Sequence, residues 1–256
     1  MSAVRAAALV ALLAAAQAAG AQTMLDQQQR LIDIHCLLLD LPPAEAPAAF
    51  RPLELDPGVE LITVPPIDGA TGSRRQITAS DHTPLFPRPR LMLGLPAPEG
   101  FRAFAGIAYI PPVTLASVTT DYGALEAGLA YAPGPFSIAL RGHAVYAFSR
   151  SPVTDPLTRD SLETFVYGAD LAGGRDFAVG RARITPYAGL GLVRLHGRFR
   201  VSSDGTVLTS DSTVLSLQAG LRVVLAKRFE AVAELDAYPG RLVHANFRLG
   251  YLFDLL

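Results

Sequence analysis

From Phe136 to Ser149 the chain reads FSIALRGHAVYAFS, and taking every second residue splits it in two. Phe136, Ile138, Leu140, Ala144, Tyr146 and Phe148 fall in one set, and Ser137, Arg141, His143 and Ser149 in the other. Successive side chains of a strand point to opposite faces, so a strand sorts these sets onto two sides, whereas helical spacing scatters them. The same division runs through Asp121–Tyr131, Ser212–Leu225, Phe229–Tyr238 and Val243–Asp254. These runs span 10 to 14 residues, against about 5 to 6 for a common globular strand. A tilted strand needs about 9 to 11 residues to cross the hydrocarbon of a bilayer. Tyr and Phe near the ends of the apolar sets suit the membrane interfaces.

The pattern predicts an all-β, closed antiparallel transmembrane barrel with its apolar face to lipid and its polar face to the lumen. Strands are expected near 101–110, 121–132, 136–149, 162–172, 182–196, 212–225, 229–238 and 242–253, with long and short links alternating apart from the last. Val59–Val64 and Arg90–Leu95 read as one further pair, joined by a long outer loop over 68–86, which gives ten strands. The alternative is an eight-stranded barrel with 22–100 as an extended periplasmic segment. A soluble sandwich or lipocalin-type barrel is the competing architecture.

Composition sharpens the location. Half of the 256 residues are apolar, 18% are charged, and the mean hydropathy is +0.29. Residues 1–21 combine a positive start at Arg5, an apolar run from Ala6 to Ala16, and small residues Ala19-Gly20-Ala21, the layout of a secretory signal peptide. Beyond them no apolar run approaches the length of a membrane helix. The domains read as signal peptide 1–21, a periplasmic segment with a Pro-rich linker over 22–56, and a barrel over 57–256. Met24–Leu41 is expected to form a short helix at the periplasmic mouth, with the N-terminus in the periplasm. The single cysteine, Cys36, reads as a buried thiol. A net charge of −1 gives no footprint for nucleic acid.

With polar sets inward, the lumen is expected to carry Arg102, Glu126, Arg141, His143, Arg222, Glu234, Asp236, His244 and Arg248. A barrel this narrow is filled by its own side chains, so the opposite charges should pair across it instead of lining a pore. A three-residue turn at Pro239-Gly240-Arg241 sets Tyr238 opposite Leu242, and hence Asp236 opposite His244 and Glu234 opposite Asn246. Asp236 and His244 are the low-ranked catalytic candidates, since an acid–imidazole pair can activate water; a structural pair explains them as well. Arg194, His196 and Arg198 form a rim cluster suited to an anion such as a lipopolysaccharide phosphate, with solvated surface charge as the plainer reading. No spacing suggests a metal site or a cofactor.

The stretches ITPYAGLGLVRL (184–195) and ANFRLGYLFDLL (245–256) resemble strands of the small outer-membrane β-barrel superfamily of Gram-negative bacteria. That resemblance implies outer-membrane lipid and the barrel-assembly machinery as partners. It covers roughly 57–256. Such barrels commonly end on an aromatic residue, whereas here Phe253 is followed by Asp254-Leu255-Leu256. The His-x-Ser of lipid A deacylases has no match: the chain has His143-Ala-Val, His196-Gly-Arg and His244-Ala-Asn. The paired Asp-x-Asp and Asp-x-His of outer-membrane proteases are also missing. The expected function is therefore a non-catalytic barrel with outer loops for structural or binding roles. A rim enzyme acting on lipid or peptide, or a narrow passive channel, are the alternatives.

Overall fold

The computed structural model describes residues 24–42, 45–47, 50–63, 85–115, 118–152 and 157–255. One helix, α1 (Met24–Leu39), precedes ten long strands: β1 (Glu54–Thr63), β2 (Leu85–Leu95), β3 (Phe101–Leu115), β4 (Val118–Tyr131), β5 (Phe136–Ser151), β6 (Asp160–Arg175), β8 (Ala182–Arg200), β9 (Val207–Leu225), β10 (Phe229–Tyr238) and β11 (Leu242–Tyr251). Two short pieces, β7 (Phe177–Val179) and β12 (Phe253–Asp254), pair antiparallel with β8 and β1. Neighbours in sequence pair antiparallel throughout, and β11 closes on β1 through Gly58↔Gly250 to Ile62↔Asn246. The architecture is thus the closed ten-stranded barrel that the alternation predicts. The expected signal peptide over 1–21 and residues 68–84 of the loop expected over 68–86 lie outside the described residues, while Leu85 and Phe86 begin β2.

The barrel has two unlike ends. The terminal end holds the start of β1, the C-terminal residues and the turns 96–100, 132–135, 176–181 and 226–228. The loop end holds the strand ends Thr63, Leu85, Leu115, Val118, Ser151 and Asp160 and the connections 201–206 and 239–241. At 239–241, Gly240 has φ 77°, a left-handed conformation that costs glycine little. The Arg241 N–H donates to the Tyr238 carbonyl at 2.9 Å. That turn pairs Tyr238 with Leu242, Asp236 with His244 and Glu234 with Asn246.

Several strands outrun their expected bounds at the loop end: β3 continues to Leu115, β8 to Arg200, and β9 starts at Val207. The cause is local. In HGRFR and VLTSDS polar residues occupy both faces, so alternation fades although pairing persists to Arg200↔Val207. The wall is therefore tall along β3–β9 and low along β10, β11, β1 and β2. Pro87 and Pro89 lie in β2 where its only paired neighbour is β1, since pairing with β3 ends at Arg90↔Ala108; proline is tolerated at such an edge.

The largest departure concerns the N-terminal segment. The helix expected at the periplasmic mouth sits inside the barrel. Ile32, Ile34, Cys36, Leu37 and Leu41 are buried against inward-facing Ala108, Tyr122, Ala124, Val145, Val166, Val193, Leu195 and Val214. Helix α1 ends at Leu39 because Pro42 follows: the ring bars a helical hydrogen bond and pushes Leu41 towards extended backbone.

Candidate functional site

The lumen is threaded from one end to the other, and each contact lies lower than the last. Near the loop end Asp33 accepts hydrogen bonds from Ser210 Oγ at 2.5 Å and Ser212 Oγ at 3.2 Å, and pairs with Arg241 at 3.2 Å. One turn on, Cys36 Sγ lies 3.8 Å from Thr164 Oγ1. Gly197 faces this turn, and a Cβ there would stand 2.4 Å from Ile32 Cγ2 and 2.8 Å from Cys36 Sγ. Only glycine lets the helix lie this close to β8. Further down, the Ser137 hydroxyl donates to the Pro47 carbonyl at 3.1 Å and Arg102 to the Phe50 carbonyl at 3.2 Å. At the terminal end Arg51 bonds Glu54 and Asp254, each at 2.8 Å. Phe50, Met92, Phe104, Val224 and Leu252 close the floor.

Between helix and floor the inserted chain loses its own hydrogen bonding, and the wall supplies partners. Three consecutive carbonyls are met by three arginines: Asp40 O by Arg88 Nη1 at 2.7 Å, Leu41 O by Arg141 Nη2 at 2.7 Å, and Pro42 O by Arg90 Nη1 at 3.3 Å. A buried carbonyl without a donor is costly, so this is where the lumen needs cations. The Asp40 carboxylate is the other anchor. It accepts from the Leu41 N–H at 2.9 Å and the Tyr238 hydroxyl at 2.9 Å, and His143 Nε2 lies 2.9 Å from it.

The arginines are neutralised in turn. Arg88 pairs with Glu60 at 2.7 Å, Arg90 Nε with Glu126 at 2.6 Å, and Arg141 with Glu126 at 3.0 Å and Asp170 at 2.9 Å. His143 Nδ1 lies 3.3 Å from Arg141 Nη2 and accepts that donor when Nε2 carries the proton towards Asp40. A second network nearer the terminal end joins Asp56 to Arg248, Arg248 to Glu230 at 2.8 Å, and Glu230 to Arg222 Nε at 2.6 Å. All of these side chains are buried. Each network brings its charges together inside a low-dielectric space, where removing one partner is far costlier than at a surface.

Of the residues singled out from sequence, Glu126, Arg141 and His143 fall in the first network, and Arg222 and Arg248 in the second. Arg102 serves the floor. Glu234 accepts from the Tyr187 hydroxyl at 2.7 Å. Asp236 faces His244 across the sheet, but its carboxylate is bonded by Asn246. His244 stacks on Tyr238 with ring centroids 5.9 Å apart, and among the described residues neither of its ring nitrogens has a hydrogen-bond partner. The two are buried in the lumen and not joined, so they form no acid–base pair in this geometry. Arg194, His196 and Arg198 share the outward face of β8; Arg194 is paired with Asp211, and His196 Nδ1 lies 3.9 Å from the same carboxylate. Among the described residues no group of three or more His, Cys, Asp or Glu is placed to hold a metal ion. Sequence reading passed over Asp40, Glu60, Arg88 and Arg90. The signal for the arginines was present: PRPRL alternates, but its prolines argue against a strand.

The outer surface shows what surrounds the barrel. Leu125, Leu140, Leu192, Leu235 and Leu249 are 59–66% exposed, far too much apolar surface for water. Two aromatic rings bound this band. At the terminal end Phe101 packs on Tyr131 and Phe229 on Tyr251, while Arg175 lies over Phe136 and Phe177. At the loop end stand Tyr109, Tyr146, Phe165 and Tyr167, all exposed. From Phe101 to Tyr109 and from Phe136 to Tyr146, the rise of a tilted strand gives about 20–26 Å between rings, matching an outer-membrane apolar band of about 25 Å. Apolar residues face out and charged ones face in. The protein is a small membrane-spanning β-barrel.

No family model matches the chain, and no curated protein does. Solved structures match in fold. The translocator domain of the autotransporter NalP from Neisseria meningitidis is 12% identical with a TM-score of 0.46, covering 89% of this chain and 95% of that one. The β domain of the Bordetella autotransporter BrkA is 15% identical with a TM-score of 0.41, covering 79% and 98%. Ail, the attachment invasion locus protein of Yersinia pestis, is 12% identical with a TM-score of 0.33, covering 79% and 100%. These proteins carry different roles and are alike in fold alone.

Proposed function

We propose that this outer-membrane barrel is a non-catalytic, non-conducting anchor whose own residues 29–42, 45–47 and 50–51 stopper its lumen, leaving its loop end for structural or binding work. The observation that carries this reading is the triple contact of Arg88, Arg141 and Arg90 with the carbonyls of Asp40, Leu41 and Pro42. It ties the inserted chain to two strands of the wall, β2 through Arg88 and Arg90 and β5 through Arg141. Outer-membrane barrels carry short periplasmic turns and longer outer loops, which supports reading the loop end as the cell-surface end. On that reading the chain ahead of Asp33 leaves through the outer mouth, not into the periplasm.

Planar-bilayer recording tests the stopper. The full chain should be silent, and deletion of residues 24–51 should open steady conductance. Steady conductance by the full chain would restore the narrow-channel alternative. Orientation is tested separately by an epitope placed ahead of Met24, which should bind antibody on intact cells.

A further inference from the structure

We propose that the outward face of β5, β6 and β8, just beyond the aromatic ring at the loop end, binds phosphate groups of the surrounding glycolipid through Arg150, Arg198 and Arg200. Cross-strand pairing aligns the face in rows. Tyr146, Phe165 and His196 share one row, and Phe148, Glu163 and Arg198 the next. Arg150, Ser161 and Arg200 form the third. Interfacial aromatic side chains sit at headgroup level. Each further row rises about 5 Å along the membrane normal for a tilted strand, so the three guanidiniums stand about 5–10 Å beyond the apolar band. That is the height of lipid phosphates and the sugars that carry them.

The charges on this face are unevenly satisfied. Asp211 is taken by Arg194 and His196. Glu163 accepts the Tyr146 hydroxyl at 3.2 Å. Arg198 and Arg200 have no carboxylate within ion-pair distance among the described residues, and Arg150 lies only over the Phe148 ring, 4.9 Å from its centroid. By contrast, the lumen arginines of both charge networks pair with carboxylates. Arg150 and Arg200 are two strands apart, about 10 Å, and Arg198 is about 7 Å along the strand from Arg200. Side chains of that reach converge on one phosphate or on two borne by a single headgroup. Arginine is suited to such a ligand because its planar fork donates two hydrogen bonds to one phosphate. The assignment of the ligand to the outer leaflet rests on the orientation proposed above; the binding itself does not.

The test is native mass spectrometry of the purified full chain in detergent, titrated with a bis-phosphorylated lipid A-type glycolipid and with its dephosphorylated counterpart. The full chain should retain the phosphorylated lipid and shed the other. The triple variant R150A/R198A/R200A should weaken retention about tenfold, and the triple lysine variant by about threefold or less, because lysine keeps the charge and loses the fork. Heat-modifiable migration on gels checks that each variant is folded. Equal retention of the dephosphorylated lipid, or unchanged retention by the alanine variant, would overturn the proposal. Full displacement of the lipid by millimolar inorganic phosphate would assign the site to a soluble anion and also overturn it. The epitope experiment reports on orientation alone, so the two failures can be told apart.

Discussion

In the loop half of the lumen the inserted chain is a helix and the wall around it is mostly apolar, with Ser210, Ser212 and Arg241 meeting Asp33 and Thr164 meeting Cys36. In the terminal half the inserted chain is irregular and the wall is charged. The difference follows from backbone hydrogen bonding. A helix satisfies its own N–H and C=O groups, so the wall has only side chains to cover, and Val145, Val166, Val193 and Leu195 suffice. After Leu39 the carbonyls of Asp40, Leu41 and Pro42 have no such partner, and the wall must donate to them. Buried donors that carry charge need counter-charges, and Glu60, Glu126 and Asp170 supply these. The ion networks thus answer the conformation of the stopper as well as the polarity of the lumen.

The largest effect is expected from Arg141→Ala. It strips donors from Glu126, Asp170 and the Leu41 carbonyl together, leaving buried charge unpaired. A loss of about 3–5 kcal/mol is expected, read as a lower urea midpoint for unfolding in detergent micelles. A loss below about 1 kcal/mol would mean that water already solvates this level, and the contrast between the halves would fail.

In the apolar half the matching disturbance is steric. Gly197→Leu places side-chain atoms where Ile32 and Cys36 now lie. Overpacking of this kind costs about 1–3 kcal/mol, and here the strain is relieved by moving the helix. Cys36 reports the movement. Its side chain is fully buried, so the folded protein should resist maleimide at pH 8, where only an accessible thiolate reacts readily. The Gly197→Leu variant should label in the folded state while the barrel still migrates as a compact species. Rapid labelling of the unmodified protein would show that the helix already leaves the lumen.

How much of this the sequence disclosed differs between wall and stopper. The wall was legible because alternation is local: FSIALRGHAVYAFS carries its two faces in its own order, and a three-residue turn sets the register of Asp236 against His244 without any tertiary information. The inward placement of Glu126, Arg141, His143, Arg222 and Arg248 came from the same parity. The stopper was hidden because an amphipathic helix looks alike whether it covers a barrel mouth or fills a lumen. The apolar inner face at Tyr122, Val145 and Val193 was hidden for a related reason: small or apolar residues on both faces leave no contrast to read.

His244 gives the smallest effect and the finest division between the halves. It is a polar residue near the loop end, stacked on Tyr238, with both ring nitrogens unpartnered among the described residues. A buried polar group that makes no hydrogen bond lowers stability relative to an apolar group of the same shape. His244→Phe keeps the ring stack and removes the two nitrogens. Stability should therefore stay level or rise by up to about 1 kcal/mol, measured by the same urea midpoint. A fall of more than about 1 kcal/mol would mean that an internal water bonds the imidazole, and the polar level of the lumen would then extend up the β10–β11 wall beside the helix.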